Sequence, residues 1–429
     1  MTMDYLKGSN YNNLYPEEMH EKMQKEKRVK RAKKVLLAGL ASVIALSAAI
    51  AFKKPYYGTN ASKKTSPAYN TEACAYPSSG ASADLQSILT KNNLERAEKM
   101  LERAEKMSVP TPSDSISVIG VGDIMLGTNY PSSSYLPGKN ILGNVEDILE
   151  DADMTFGNLE GTILNSGGTP KTGENCFAFR MPDNTVAYLK EAGFDVLSLA
   201  NNHSRDFGTV GATNTMNLLD KAGIHYAGLS ECQYTIFEKD GVKYGFCAFA
   251  PDYSGTMHFA DAVKTIKYLD SRCDMVIVSF HVGAEGNACQ HITKKTEYFL
   301  GENRGDPYHL AREAIDAGAD VVFGEGPHVT RAVDIYKNRF IAYSMGNFAT
   351  YGMFDLSNAC GVSPIIKITV DKTGKLLSGK IYSVKLEGKG VPVLDKNNTA
   401  LKNIIQLTKA DVPETQLMIE SDGTIKVNK

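Results

Sequence analysis

The sequence predicts an α/β sandwich with buried sheets, and three observations predict it. From Ile116 onward, short apolar runs alternate with stretches of helical period, as in strand–helix units whose sheets are covered on their faces. Asp240-Gly241 and Lys337-Asn338 are hairpin signals, so part of the sheet is antiparallel. Successive apolar runs also end in the same kinds of residue: carboxylates, amides and imidazoles.

The expected strands cover residues 115–121, 154–157, 194–199, 244–249, 275–280 and 320–323. Each is a short apolar run. Helical stretches are expected at 184–192, 209–222, 261–269 and 308–317. The main domain is read as residues 115–355. After it, strand-like runs at 365–370 and 376–384 flank the turn Asp371-Lys372-Thr373-Gly374. Residues 356–429 are therefore expected as a β-rich extension packed on the main domain.

The N-terminal part has a different character. Residues 22–34 form a strongly basic block with eight lysines and arginines, and residues 35–52 are apolar without a single charge, closed by Lys53-Lys54. As a helix, the apolar run spans about 27 Å, close to the hydrocarbon thickness, and its flanking lysines can snorkel. The basic block puts residues 1–34 in the cytoplasm and the main domain outside. A cleaved signal peptide is the competing reading, because Ala49-Ile50-Ala51 resembles a cleavage site. The long leader before the apolar run argues for an uncleaved single-pass anchor. Residues 53–84 read as a linker. Residues 85–110 read as a stalk helix, in which Leu94–Met100 is duplicated as Leu101–Met107. Two heptads are short for a coiled-coil dimer, so a solvated helix is expected.

The net charge of −2 excludes a general nucleic-acid binder. The seven cysteines are scattered without a C-x-x-C, so no zinc ribbon or disulfide framework is indicated. No G-x-S-x-G elbow and no P-loop occurs.

The polar strand ends carry the chemistry. They are Gly122-Asp123, Gly157-Asn158-Leu159-Glu160, Asn201-Asn202-His203 with Asp206, His281 with Glu285, Gly324-Glu325-Gly326-Pro327-His328, and Gly346-Asn347. In an open α/β sheet the ligand site lies outside the carboxyl ends of the strands. Carboxylate, amide and imidazole donors suit Mn, Fe, Zn or Mg. Two ions about 3.5–4 Å apart clamp an in-line displacement and activate water. Asp123, Glu160, Asn202, His281 and His328 supply about enough ligands for such a site. Each piece alone is weak, since Gly-Asp is usually a turn and Asn-Asn-His also reads as an Asx turn or helix cap. Their recurrence lifts the reading.

These motifs, with Phe179-Arg180-Met181-Pro182, His281-Val282-Gly283-Ala284-Glu285 and Tyr343-Ser344-Met345-Gly346-Asn347-Phe348, resemble the motif series of CapA-type poly-γ-glutamate capsule biosynthesis proteins over residues 116 to about 350. The resemblance implies a four-layer α/β/β/α sandwich similar to calcineurin-like metallophosphoesterases, tethered to the outer face of a bacterial membrane. It implies one or two divalent ions (Mn, Zn or Fe) held by Asp123, Glu160, Asn202, His281 and His328. His203 and Asp206 are then the catalytic candidates, with His203 a general acid or oxyanion stabiliser. Arg180, Glu285, Ser344 and Asn347 are the candidate substrate or supporting contacts, with a salt bridge as the alternative for Arg180. The family often has Gly-His-His-Pro-His where this chain has Gly324-Glu325-Gly326-Pro327-His328, so Glu325 is expected to ligate in place of histidine or to leave a position weak. Two functions stay open: a metallohydrolase acting on an amide or phosphoester of a surface polymer, and a non-catalytic polymer-binding subunit of a synthesis or export complex. The partner in either case is an anionic, poly-γ-glutamate-like polymer.

Overall fold

The computed structural model describes residues 115–173, 176–253 and 255–428. The expected cytoplasmic tail, anchor, linker and stalk helix lie outside the described residues. Among the described residues, no helix is long and apolar enough to cross a membrane.

The structure is a mixed, sheet-rich α/β fold. In its first half the strands are β1 (Ser115–Met125), β2 (Met154–Leu159), β3 (Thr162–Ile163), β4 (Arg180–Met181), β5 (Val196–Ser198), β6 (His225–Ala227), β7 (Tyr234–Lys239), β8 (Val242–Phe249) and β9 (Met275–His281). The second half adds β10 (Tyr298–Phe299), β11 (Glu302–Asn303), β12 (Val321–Glu325), β13 (Val333–Tyr336), β14 (Arg339–Ala342), β15 (Asn347–Thr350), β16 (Val362–Asp371), β17 (Leu376–Glu387), β18 (Val391–Leu394), β19 (Leu417–Ile419) and β20 (Thr424–Val427). The helices are α1 (Glu146–Leu149), α2 (Thr185–Glu191), α3 (Gly208–Ala222), α4 (Ala262–Asp270), α5 (Pro307–Asp316) and α6 (Thr399–Asp411).

A larger sheet runs β19-β20-β17-β16-β1-β2-β5-β6, with β15 also paired to β1 and β18 to β17. A smaller one runs β13-β14-β12-β9-β8-β7. Both expected hairpins form: Lys239 pairs with Val242 across Asp240-Gly241, and Tyr336 with Arg339 across Lys337-Asn338. The remaining pairs of the smaller sheet are parallel.

The sheets share a core made by side chains of alternate residues. Val118, Phe156 and Val196 of the larger sheet meet Phe246, Ile277 and Phe323 of the smaller one. Phe156 stacks on Phe323 with ring centroids 5.2 Å apart. The intervening residues point the other way, as a period of two requires. Ile119, Leu159 and Leu197 pack under α1, α2 and α3. Val276, Val278 and Val322 pack under α4 and α5. Strands buried on both faces read as unbroken apolar runs, which is why they stand out in the sequence. Burying each large apolar side chain contributes roughly 1.5–3 kcal/mol.

Residues 356–429, expected to pack on the main domain as an extension, lie within the larger sheet. They are β-rich and also contain α6. β16 pairs antiparallel with β1 over Ser115–Gly120. Leu401 and Ile404 of α6 join the core between the sheets.

Several strands outlast the apolar runs that announced them. β1 continues through Asp123, β2 through Asn158, β9 to His281 and β12 to Glu325. Ladder pairing is a property of the backbone, so a polar side chain does not end a strand whose neighbour continues. Asp123 is flanked by Asn158 of β2 and Asn347 of β15.

Candidate metal centre

The centre forms where these polar strand ends meet. Asp123 reaches it because β1 and the turn before β15 approach closely. Asp123 N donates to Gly346 O at 3.0 Å, and a Cβ on residue 122 would lie 1.9 Å from that carbonyl oxygen. Glycine at 122 is therefore required by the contact that positions the aspartate.

Asp123, Glu160 and His328 form a group that could hold a metal ion, their ligand atoms all lying within 4.8 Å of one another. His328 Nδ1 lies 3.0 Å from Asp123 Oδ2, and its Nε2 lies 3.7 Å from Glu160 Oε1. His281 Nε2 is 3.8 Å from the same glutamate oxygen. Glu325 is the direct neighbour of His281 in the β9–β12 ladder. His328 has φ of 57°, a left-handed conformation that a histidine holds only where its surroundings demand it. Its side chain is 15% exposed, whereas Asp123, Glu160 and His281 are fully enclosed.

The ring of ligands is incomplete as the protein alone presents it. Both carboxylate oxygens of Glu160, Oδ1 of Asn202, Nε2 of His281, Oε1 of Glu325 and Oδ1 of Asn347 are buried without a hydrogen-bond partner among the described residues. Buried polar atoms are ordinarily paired, and each unpaired one costs about 1–3 kcal/mol. Five of these six atoms are acceptor oxygens and the sixth is an imidazole nitrogen. That donor set is the one a hard or borderline divalent cation takes, so the residues present fit such an ion. The expected roles of Asp123, Glu160, His281 and His328 have a geometric basis in this gathering. Asn202 and Glu325 each add one buried, unpaired oxygen.

Electrostatics point the same way. Burial, followed by the nearby Asp123 carboxylate, pushes Glu160 well above the usual carboxylate range. Glu325 is pushed up for the same reasons, with the Ser279 hydroxyl opposing at 2.9 Å. Burial and then Arg304 hold His281 well below the usual imidazole range. For His328, burial acts downward, but Glu160, Asp123 and Glu285 prevail and push it up to about 10. Enclosure and mutual repulsion thus work against the charged carboxylates of this cluster unless a cation is present.

Comparison with known proteins bears on what this centre belongs to. Residues 117–351 match the family described as bacterial capsule synthesis protein PGA_cap. The chain belongs to that family. The capsule biosynthesis protein CapA of Bacillus anthracis is 29% identical over 345 residues, covering 73% of this chain and 78% of that relative. The PGA biosynthesis protein CapA of Bacillus subtilis (strain 168) is 28% identical over 267 residues, 57% of this chain and 66% of that relative. Among solved structures, the 5'-nucleotidase precursor of Thermus thermophilus aligns over 71% of this chain and 61% of its own, at 11% identity and a TM-score of 0.39.

In this PGA_cap chain, His203 and Asp206 sit together. His203 Nδ1 is 2.8 Å from Asp206 Oδ2, which also accepts from Phe179 N at 2.6 Å. Lys171 Nζ contacts Asp206 Oδ1 at 2.6 Å and His203 Nδ1 at 3.1 Å. The ring lies on Phe179, centroids 4.2 Å apart. Burial holds His203 below the usual imidazole range against the upward pull of Asp206. Glu285 stands at the rim, 3.9 Å from His328 Nε2.

Two expected contacts are otherwise engaged. Ser344 is buried, and its hydroxyl donates to Val329 O at 2.7 Å, so it holds a turn rather than waiting for a substrate. Arg180 donates to Asn129 Oδ1 at 2.6 Å and Gly167 O at 3.0 Å and covers the Phe207 ring. Asn347 donates to Cys360 O at 3.1 Å and keeps its oxygen unpaired.

Sequence reasoning passed over three residues of the PGA_cap site. Asn158 donates to Asp123 Oδ1 at 2.8 Å, touches His281 Nδ1 at 3.3 Å and accepts from Asn201 at 3.0 Å. It stands inside a polar strand end, which was the available signal. Lys171 and Arg304 lie in loops and had none.

Proposed function

We propose that this PGA_cap protein is a membrane-anchored, extracytoplasmic, divalent-metal-dependent hydrolase of capsule polymer biosynthesis, acting on an amide or phosphoester of an anionic, poly-γ-glutamate-like surface polymer. The anchor is residues 35–52. The observation that carries the chemistry is the set of buried, unpaired donor atoms on Glu160, His281 and Glu325 beside Asp123 and His328. A divalent ion bound there supplies Lewis-acid polarisation of the scissile group and activation of water.

The chain's own residues do the rest. Asn158 orients Asp123 and His281 by hydrogen bonds, as partners of ligands commonly do. Asp206 accepts from His203 Nδ1, which leaves Nε2 as the atom where a proton is taken up or delivered. Lys171 balances the Asp206 charge and ties its loop to Asn202 O at 2.9 Å. Enclosure of the ligands excludes bulk water and strengthens each of these contacts.

A non-catalytic, polymer-binding role has one observation in its favour. Gly326 has φ of 105°, and a Cβ there would meet Val282 N at 3.0 Å. The imidazole common at this position in the family therefore has no place on this backbone.

The test is metal analysis of the full-length chain beside its His281→Ala variant, with hydrolysis of a chromogenic phosphoester. Bound manganese or zinc with hydrolysis, both lost in the variant, supports the hydrolase. Bound metal without turnover supports polymer binding. A wild-type chain that takes up no metal after reloading sinks the centre itself.

A further inference from the structure

Beside the centre lies a guanidinium with one edge unpaired. Arg304 follows the β10–β11 hairpin and is 2% exposed. Its backbone is fixed to the loop after β9, where Gly283 N donates to Arg304 O at 2.8 Å. Nη1 pairs with Glu285 Oε1 at 2.7 Å and lies 3.7 Å from Glu302 Oε2. Nε and Nη2 are both buried and have no hydrogen-bond partner. Those two N–H groups point the same way along one edge of the planar group. It is an edge that takes a carboxylate or phosphate through two parallel bonds.

The surroundings hold this edge ready. The guanidinium carbon lies 5.6 Å from the Tyr253 ring centroid and 5.8 Å from that of Phe299. The Tyr253 hydroxyl is itself buried and without a partner. Three unpaired donors in one enclosed cluster, one set of them charged, are a costly arrangement for a fold to keep without a ligand. The centre next door is lined by Asp123, Glu160, Glu285 and Glu325, which repel an anion. Arg304 supplies the opposite charge, and its partner Glu285 is the residue 3.9 Å from His328.

We propose that Arg304 and Tyr253 form an oxyanion subsite that takes a carboxylate or phosphate group of the substrate. It rests on the metal-centre reading only in placing that group next to the reacting bond. A purely structural arginine, held by its two rings and Glu285, is the competing account. It predicts that replacing Arg304 or Tyr253 changes stability but not anion affinity.

The experiment is calorimetric titration of the full-length chain with inorganic phosphate and, separately, with glutarate. Each is run on chelator-treated and on manganese-loaded protein. Wild type is expected to bind at least one of the two anions, and the preferred one assigns the group as phosphate or carboxylate. Arg304→Gln is expected to weaken that binding by about tenfold or more, while manganese affinity stays within about threefold. Tyr253→Phe, which leaves the arginine and Glu285 in place, is expected to weaken it about threefold and decides the matter if Arg304→Gln does not fold. Wild type binding neither anion, or folded variants binding them as tightly as wild type, overturns the subsite. Failure of the metal centre shows differently, as absent manganese uptake, and the chelator-treated arm still tests Arg304.

Discussion

Two buried ionic clusters lie close together in this protein, and they are built on opposite plans. In one, Arg331 is fully enclosed and satisfied. Its Nη1 and Nη2 grip Glu297 at 3.0 and 2.9 Å, and its Nε and Nη2 donate to Cys289 O and Ala284 O. Glu297 accepts in addition from Ala284 N and the Thr293 hydroxyl. In the other, Glu160 has no hydrogen-bond partner for either oxygen, and the cluster holds more carboxylates than cations. Burying charge is tolerable when each charge is paired and hydrogen-bonded. The first cluster meets that condition within the chain. The second does not meet it among the described residues, and a divalent cation would supply what is missing.

The contrast can be broken by experiment, most forcefully at the closed cluster. Arg331→Met should destabilise the fold by about 3–5 kcal/mol, because it strands Glu297. Urea unfolding should give the same loss with and without manganese, and a loss that manganese cures would mean the clusters are not independent. Next in size, manganese at a hundredfold excess over its dissociation constant should stabilise wild type by about 2.7 kcal/mol, reversed by chelator. His281→Ala should show no such gain. Glu160→Gln should change sign between conditions. Without cation it removes an enclosed like charge beside Asp123 and should be neutral or stabilising by about 1 kcal/mol. With manganese it should be the less stable protein. Two unfolding curves in each buffer decide it, and a loss in both would mean that Glu160 is held by contacts of the closed kind. The smallest effect is expected from Ser279→Ala, which removes the hydroxyl that donates to the Glu325 carboxylate and should cost about 1 kcal/mol in cation-free protein.

The open cluster was largely legible in the sequence because of where its residues fall. Strands buried on both faces leave long apolar runs, and Asp123, Asn158, His281 and Glu325 interrupt such runs at their ends. One polar residue in that position is usually a turn, and it is the recurrence over several strands that marks a common site. The closed cluster was not legible. Arg331, Glu297 and Arg304 come from loops without periodicity, and only the folded chain brings them together. Lys171 is hidden for the same reason. Ser344 and Arg180 each stand in a motif, and folding engages the first with Val329 O and the second with Asn129 and Gly167 O. Proximity to a motif indicates location and not role. Apolar character alone sets the limits of β1, β2, β9 and β12 short, because the ladder runs on into the polar ends.

The pairing of β16 with β1 has a practical consequence for anyone trimming this protein. The family match ends at residue 351, yet the strand bearing Asp123 is zipped along half its length to residues 366–371. A fragment cut at the family limit would bare a hydrophobic backbone edge in the middle of the larger sheet, an invitation to stack with its own copies. The family match and the folding unit are thus of different lengths, and the segment beyond residue 351 acts as the clasp that keeps β1, and the aspartate on it, in place.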